Sequence, residues 1–438
     1  MSDGWVERAG VRLHYLEWRP PGPREDREPP LFLLHGLSSN ARVWERMARR
    51  LPDRRIVALD QRSHGPSDRP AAGYALDEVV ADAAHAIRQL GLGRPVVAGH
   101  SWGAAVALAL AAEHPDLSSG LVFVDGPTAS FSRFMTWEEA AQRMQPPLPA
   151  YRDVEEAARA EASALGEAWG DDLVEFVRAG LVAVGSGGFT PTLNAGVRLE
   201  ILTDLYRFQP ELLFADVQGP ILLAMAGQLW PGVPQEFAER RRRSVDEVVE
   251  LRPDAVVRWY ESRHDVPLIR ADELAADVER TAIAAAYWSL ARDAAALATV
   301  AEPEWARPVQ GDAGGWTAKD LLAHLSSTHA AMAAVVAAPP PARDGGQAPG
   351  QDRPAFDPDR WNASQVRRRQ ERKPGELAEE MRRGAEQLHA ALMEVDLAGT
   401  TAAGNFAGLA RADAMERMLE HQRLHLGELR SALAQPPG

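Results

Sequence analysis

Short apolar runs alternate with helical stretches through roughly the first two-thirds of the chain. Trp5 to Arg8 and Val11 to Trp18 flank Ala9-Gly10, a pattern that predicts a β-hairpin. Further strand-like runs lie at Leu31 to Leu34, Arg55 to Leu59, Pro95 to Ala98, Leu121 to Val124, Ile221 to Ala226 and Val256 to Tyr260. Between them come helical patterns, including Leu76 to Leu90, Trp102 to Glu113 and Pro234 to Glu250. This alternation predicts an α/β fold with a mostly parallel sheet covered on both faces. One stretch departs from it. From about Thr128 to Asp216 only helical patterns occur, broken near Pro146-Pro147 and Gly185 to Gly188. So long an insertion between two strands predicts a helical cap over a site.

After about residue 283 the texture changes to Ala- and Leu-rich helical spacing with almost no strand signal. Four helices are predicted there. The first spans roughly Tyr287 to Ala301, with room to run on directly from the helix before it. The second starts at Thr317, whose Thr-x-x-Asp spacing to Asp320 resembles a capping box. The third spans roughly Pro374 to Val395 and the fourth roughly Ala410 to Leu433. The Pro/Gly-rich stretch from Ala338 to Pro354 cannot hold a helix. The expected division is therefore an α/β domain over 1–283, with its cap at about 128–216, and an all-α four-helix bundle over 284–438. No internal repeat suggests a solenoid.

Charge narrows the partners. The 438 residues carry 48 Lys+Arg against 62 Asp+Glu, a formal net charge of −14. Such a chain is a poor match for a phosphate backbone or an anionic membrane, so neither nucleic acid nor membrane is an expected partner. The opening residues show no basic segment followed by an apolar core, and the longest apolar run, Ala104 to Ala112, is too short to span a bilayer. A cytoplasmic protein acting on a small molecule is expected, with a homodimer allowed. There is no cysteine. Disulfides, thiolate nucleophiles and Cys-ligated clusters are thereby excluded, and any metal must be held by His and carboxylates.

The candidate chemistry of the first part centres on Gly99-His100-Ser101-Trp102-Gly103, which follows a strand pattern and opens a helix pattern. A sharp strand-to-helix turn needs small residues at ±2 to expose the serine Oγ, and the helix start supplies an N–H, that of Trp102, for a developing oxyanion. A second donor is expected from the loop after an earlier strand, at Leu37 in His35-Gly36-Leu37-Ser38. These motifs, with Asp60-Gln61-Arg62-Ser63-His64-Gly65-Pro66-Ser67-Asp68 and Ser262-Arg263-His264-Asp265-Val266-Pro267-Leu268, appear in an order that resembles the α/β-hydrolase fold. The resemblance covers residues 1 to about 283 and implies a serine hydrolase acting through an acyl-enzyme, with no cofactor at that site. It assigns Ser101 as nucleophile and His264 as general base, and it suggests packing for His100.

The acid partner stays open. Members of this fold usually carry Asp shortly after the Ile221 to Ala226 strand, where Trp230 stands instead. Some supply it after the preceding strand, which puts forward Asp125; Glu236 is the alternative, and a turn-stabilising role for Asp125 the bland reading. The Ser101 nucleophile excludes the Asp-nucleophile chemistry of epoxide hydrolases and haloalkane dehalogenases. Ester, lactone or amide hydrolysis, C–C bond hydrolysis and perhydrolysis all remain.

The second part carries His324, and a His-x-x-x-His pair at His421 and His425. Positions i and i+4 share one helix face, so both imidazoles can reach one ion. Ala414, Met418, His421, His425 and Leu429 form a stripe that reads as the buried face, and Leu321, Leu325 and Thr328 flank His324. Three imidazoles turned into a bundle core are costly without a metal or dense hydrogen bonding. His329 and His389 lie off these stripes. The piece Gly315-Trp316-Thr317-Ala318-Lys319-Asp320-Leu321-Leu322-Ala323-His324-Leu325, with Trp361-Asn362-Ala363-Ser364 and the final His pair, resembles the DinB-like metalloproteins, which include the mycothiol-dependent maleylpyruvate isomerases. That resemblance covers about 284–438. It implies a divalent metal, zinc or nickel, on His324, His421 and His425, with a position open for water or the thiolate of a low-molecular-weight thiol. Isomerases of the mycothiol group can carry Glu in place of one His, so the three-His set leaves mycothiol use open.

Three functions follow as expectations. The leading one is a serine hydrolase with an appended metal-binding bundle. The second is a thiol-dependent transferase or isomerase with the bundle as main catalyst. The third is a non-catalytic ligand sensor.

Overall fold

The computed structural model describes all residues except 23–26, 186, 230–232, 314, 339–356, 402–405, 407 and 435–438. Trp230 and most of the Ala338 to Pro354 stretch lie outside the described residues. The chain divides into two compact units, Met1–Ala282 and Ile283–Gly438, and the division falls inside one helix, Ala271–Leu297.

The first unit is built on an eight-stranded sheet. Its strands are β1 (Ser2–Arg8), β2 (Val11–Trp18), β3 (Arg27–Leu34), β4 (Arg54–Leu59), β5 (Val96–His100), β6 (Gly120–Val124), β9 (Ile221–Ala226) and β10 (Val256–Tyr260); β7 (Leu181–Ala183) and β8 (Phe189–Pro191) form a separate pair. The sheet order is β1-β2-β4-β3-β5-β6-β9-β10. The first two strands form the expected hairpin, with Arg8 opposite Val11 and positive φ at Ala9 (+51°) and Gly10 (+77°), the geometry of a tight turn matched to strand twist. β2 runs antiparallel to β4, and every later pairing is parallel.

Parallel strands covered on both faces should read as continuous apolar runs, and here they do. Leu31 to Leu34, Val96 to Ala98, Leu121 to Val124 and Ile221 to Ala226 are all buried. The helix Leu76–Gln89 buries Val79, Val80, Ala83, Ala84, Ala86 and Ile87 on one face. The helix Trp102–Glu113 is instead buried nearly all round, from Trp102 to Ala111, which explains why its sequence shows no amphipathic period.

The insertion over 128–216 holds the helices Trp137–Met144, Val154–Leu165, Val174–Ala179 and Ala195–Arg207. Each of the longer three starts at a side-chain cap, on Thr136, Asp153 and Asn194 respectively. The purely helical expectation needs correction here. β7 and β8 pair as a short hairpin around the Gly185 to Gly188 break. Three-residue strands are too short for a period-2 pattern to show in the sequence.

The second unit packs Ala271–Leu297 (its part from Ile283), Ala318–Ala337, Pro358–Arg369, Pro374–Met393 and Arg411–Ala434 around Tyr287, Leu321, Leu322, Leu377, Met381, Leu388, Met415 and Leu429, all buried. Four helices were expected and five are present among the described residues. The addition, Pro358–Arg369, is capped by Asp357 and begins with Pro, but it is very polar and buries only Val366, so it lacks the apolar stripe that would announce it. Thr317 and Asp320 form the capping box read from the sequence. Gly384 brings two long helices close: a Cβ there would stand 3.0 Å from the backbone nitrogen of Ala330.

Candidate functional sites

The first site lies where an open parallel sheet normally binds ligands, outside the carboxyl ends of its strands. Ser101 follows β5, Asp125 follows β6, Gly36 follows β3 and His264 lies four residues beyond β10. Ser101 has φ +54° and ψ −115°, a strained conformation for a non-glycine residue, and its N–H donates to the Val124 carbonyl (2.9 Å). The two flanking glycines have a steric cause. A Cβ on Gly99 would collide with the Gly103 carbonyl, and one on Gly103 would collide with the Leu34 carbonyl of β3. The turn closes only because both are glycine.

Asp125 sits in a second strained turn, with φ +53°, followed by Gly126 at φ +154°. Its Oδ2 lies 2.6 Å from His264 Nδ1. Its Oδ1 accepts from the Ala226 N–H (3.0 Å) and from the Arg241 guanidinium. An acceptor on Nδ1 fixes the tautomer that leaves Nε2 unprotonated, the form a general base needs. Glu236, the alternative acid, pairs with Arg240 instead. Ser101, Asp125 and His264 all line one cavity of about 340 Å³, walled mainly by apolar side chains such as Phe131, Phe134, Met225 and Phe237.

Trp102, at the start of its helix, also lines this cavity. Leu37 follows Gly36, where a Cβ would stand 3.2 Å from Ser101 Cβ, so the loop backbone runs beside the serine. Burial lowers the pKa of His264, Arg241 lowers it further, and Asp265 opposes them.

Two residues at this site had no role in the sequence reading beyond packing. His100 donates from Nε2 to the His264 carbonyl (2.9 Å), and the two rings lie 4.7 Å apart. Burial, with His264 beside it, lowers His100 to about 4, so it stays neutral near neutral pH. Arg241 is one of four consecutive arginines, Arg240 to Arg243, on the helix Gln235–Leu251. Its side chain is only 15% exposed, and burial, with Arg242 adjacent, lowers its pKa to about 10. Nothing in a run of four like residues marks which one turns inward.

The second site brings together His324, His421 and His425, whose ligand atoms all lie within 4.8 Å of one another. His324 Nε2 and His421 Nε2 are 3.2 Å apart. Ions bound by imidazole at about 2.1 Å in tetrahedral geometry hold their nitrogens about 3.4 Å apart, so this spacing fits a metal. Burial, with the other two rings adding, drives His324 to about 3, and His421 is lowered by burial and by His425. Rings kept neutral in this way keep their lone pairs for a cation. His324 Nδ1 is buried with no partner among the described residues, a cost that a strong bond at Nε2 would offset.

His425 is oriented by Glu428, whose Oε2 lies 2.7 Å from His425 Nδ1, while its Oε1 accepts from the Asp312 N–H (2.6 Å). Gly311, at φ +103°, favours glycine by its backbone, and a Cβ there would displace the Glu428 carboxylate. Glu428 is absent from the sequence reading, although its i+3 spacing from His425 would have signalled it. The buried stripe needs correction. His421 is exposed, and the buried positions on its helix include Ala414, Met415, Leu419, Gln422, His425 and Leu429. His421 sits at the edge of the apolar stripe, so the cluster opens to solvent rather than into the core. His329 and His389 are buried and stand outside the cluster; His329 Nε2 donates to the Tyr287 carbonyl (3.1 Å).

Comparison with known proteins finds two families on separate stretches of the chain. Residues 29–175 match the alpha/beta hydrolase fold family, and residues 288–425 match the mycothiol maleylpyruvate isomerase N-terminal domain. The first unit therefore has the α/β-hydrolase fold, and the second carries the signature of a DinB-like helical domain. The 2-(acetamidomethylene)succinate hydrolase of Mesorhizobium japonicum is 42% identical over 104 residues, which are 23% of this chain and 37% of that protein. Lipase LipV of Mycobacterium tuberculosis is 37% identical over 119 residues, 27% of this chain and 43% of that protein. The chain thus spans about two-fifths of the length of these relatives. The crystal structure of E-2-(acetamidomethylene)succinate hydrolase superposes with a TM-score of 0.54 at 24% identity, covering 64% of this chain and 98% of that one. At that identity the likeness speaks for the fold alone. Among the described residues, no helix is long and apolar enough to cross a membrane.

Proposed function

We propose that the first unit is a serine hydrolase that cleaves an ester, lactone or related acyl bond of a small molecule. The observation that carries this reading is the 2.6 Å contact between Asp125 and His264 on the wall of the cavity that holds the strained Ser101. Ser101 Oγ adds to the acyl carbon while His264 Nε2 takes its proton. Asp125 holds the imidazole in the required tautomer and stabilises the imidazolium. The N–H groups of Trp102 and Leu37 receive the oxyanion. His264 then returns the proton to the leaving group, and water, activated by the same imidazole, releases the acyl group and regenerates Ser101.

For the second unit we propose a divalent metal, zinc or nickel, held by His324, His421 and His425. When bound, such an ion lowers the pKa of a water or thiol on its open position. Glu428 holds the His425 ring so that Nε2 faces the site. The exposure of His421 favours a centre that outside ligands can reach, which keeps a second reading alive: a thiol-dependent transferase or isomerase, its sulfur supplied by a small molecule because the chain has no cysteine. Metal removal would abolish that activity and leave ester hydrolysis standing.

The test of the hydrolase reading is fluorophosphonate labelling followed by intact mass. Wild type should take one adduct and Ser101→Ala none, with turnover reduced by about 10⁶-fold as when a catalytic serine is lost elsewhere. No adduct on a folded wild type would reject the serine mechanism, and tight ligand binding without turnover would favour the sensor.

A further inference from the structure

The cavity at Ser101 is apolar in its walls but not in its charge. Among its lining residues Asp125 is the only carboxylate, against two guanidinium groups, those of Arg143 and Arg241. This is a locally cationic pocket in a chain of net charge −14. Arg241 spends one nitrogen, Nη2, on Asp125; its Nε and Nη1 have no acceptor among the described residues. Its guanidinium lies over the Trp259 ring, 5.6 Å from the centroid, which holds it in place without satisfying its donors. Burial makes this an expensive cation to keep, as its lowered pKa of about 10 reflects. Arg143, in the last turn of Trp137–Met144, is exposed and has no acceptor among the described residues. A cation at a helix C-terminus is favourable in any protein, so Arg143 alone would carry little. Two guanidiniums with donors still open to a ligand, one ion-paired and buried and one exposed, on one small apolar cavity beside a serine form a pattern that neutral substrates leave unused.

We infer that this pocket takes a small anionic acyl compound, with a cleavable acyl bond for Ser101 and a free carboxylate for Arg143 and the open donors of Arg241. The inference rests on the reading of Ser101 as a nucleophile only for the cleavage; the carboxylate subsite stands on the two arginines. A planar guanidinium fork matches a carboxylate through paired, charge-assisted hydrogen bonds, and an apolar surround strengthens them. The cavity of about 340 Å³ suits a compound of this size, with its apolar part against Phe131, Phe134 and Phe237.

The experiment uses the full chain carrying Ser101→Ala, which cannot turn ligand over. Calorimetry compares monobenzyl glutarate, which keeps one carboxylate, with benzyl methyl glutarate, its neutral ester. The half-ester should bind at least about tenfold more tightly, the scale of one charged hydrogen-bonded contact. Adding Arg143→Gln should shrink that preference severalfold, and Arg143→Lys should retain part of it. Equal affinity for the two ligands, absence of binding by both, or a preference that survives Arg143→Gln unchanged would each overturn the inference. Fluorophosphonate labelling of wild type, run in parallel, separates the two readings. An adduct without carboxylate preference sinks the anionic subsite alone. A carboxylate preference without an adduct keeps the subsite and sinks the serine mechanism.

Discussion

Ser101 and Asp125 sit at the ends of neighbouring parallel strands with φ of +54° and +53°, whereas His324, His421 and His425 lie in the interior of two regular helices. The first site therefore depends on backbone that is held away from its preferred conformation. Gly99, Gly103 and Gly126 allow it, and hydrogen bonds across β5, β6 and β9 pay for it. His264 is held at both ends, its ring by Asp125 and its carbonyl by His100. The second site needs no strain. Helical periodicity delivers His421 and His425 to one side, and a single carboxylate, Glu428, orients one of them. Strained sites are tied to the rest of the sheet, so a small change in one residue propagates. Helical sites are modular, and losing a supporting residue should weaken them without dismantling them.

The largest effect expected from this contrast is in the first unit. Asp125→Asn keeps the shape of the turn but offers Nδ1 an amide, which no longer enforces the reactive tautomer. By the behaviour of serine triads, turnover of an activated ester should fall by about 10⁴-fold with the circular dichroism unchanged, while the melting temperature drops because the buried Arg241 loses its charged partner. Turnover within tenfold of wild type would remove Asp125 from the mechanism and return the question to an acid outside this turn.

A smaller effect is expected in the second unit. Glu428→Gln removes the charged acceptor from His425 and loosens the loop at Asp312. Affinity for zinc, measured on the full chain by competition with a chromophoric chelator, should drop about 10–100-fold. His425→Ala should cost more, since it deletes a ligand. Unchanged affinity in both variants would mean that the 3.2 Å approach of His324 to His421 is an N–H···N bond between neutral rings and not a metal seat. Ester turnover followed in the same samples sharpens the comparison: a fall that tracks the metal would join the two sites functionally.

The same contrast explains what was legible. The sheet strands were readable because buried parallel strands are unbroken apolar runs, and the elbow because its glycines are demanded by backbone contacts and not by side-chain packing. The order of the motifs along the chain then resembled a known fold closely enough to put Ser101 and His264 forward as candidates, and the structure brings both to one cavity. The pair β7 and β8 and the helix Pro358–Arg369 escaped, the first for shortness and the second for lack of an apolar face. His421 shows the limit of a period: one helix turn spans enough angle that a residue on the edge of the stripe can be drawn inside it or out. Arg241 and His100 escaped for another reason. Their roles exist only where separate parts of the chain meet, Arg241 with Asp125 across 116 residues and His100 with His264 across 164.

The smallest effect is also the most specific, because it asks whether Arg241 acts on His264 through its charge. His264 must be neutral to accept the serine proton, so kcat/KM for an ester should fall as the pH drops through the His264 pKa. Burial and Arg241 both lower that pKa, which places the acidic limb below the ordinary imidazole value of about 6.5. The groups facing the ring are Asp125, Asp265, Arg241 and His100, and His100, lowered to about 4, stays uncharged across the limb. Arg241→Met removes a positive charge from this set and frees the Asp125 carboxylate to act on the imidazole alone. Both changes favour the imidazolium, so the limb should move up by about half a unit to one unit. A merely structural role for Arg241 would lower kcat at every pH and leave the limb in place. A downward move would mean that the drier, apolar Met side chain outweighs the lost positive charge, so that burial and not Arg241 sets the His264 pKa.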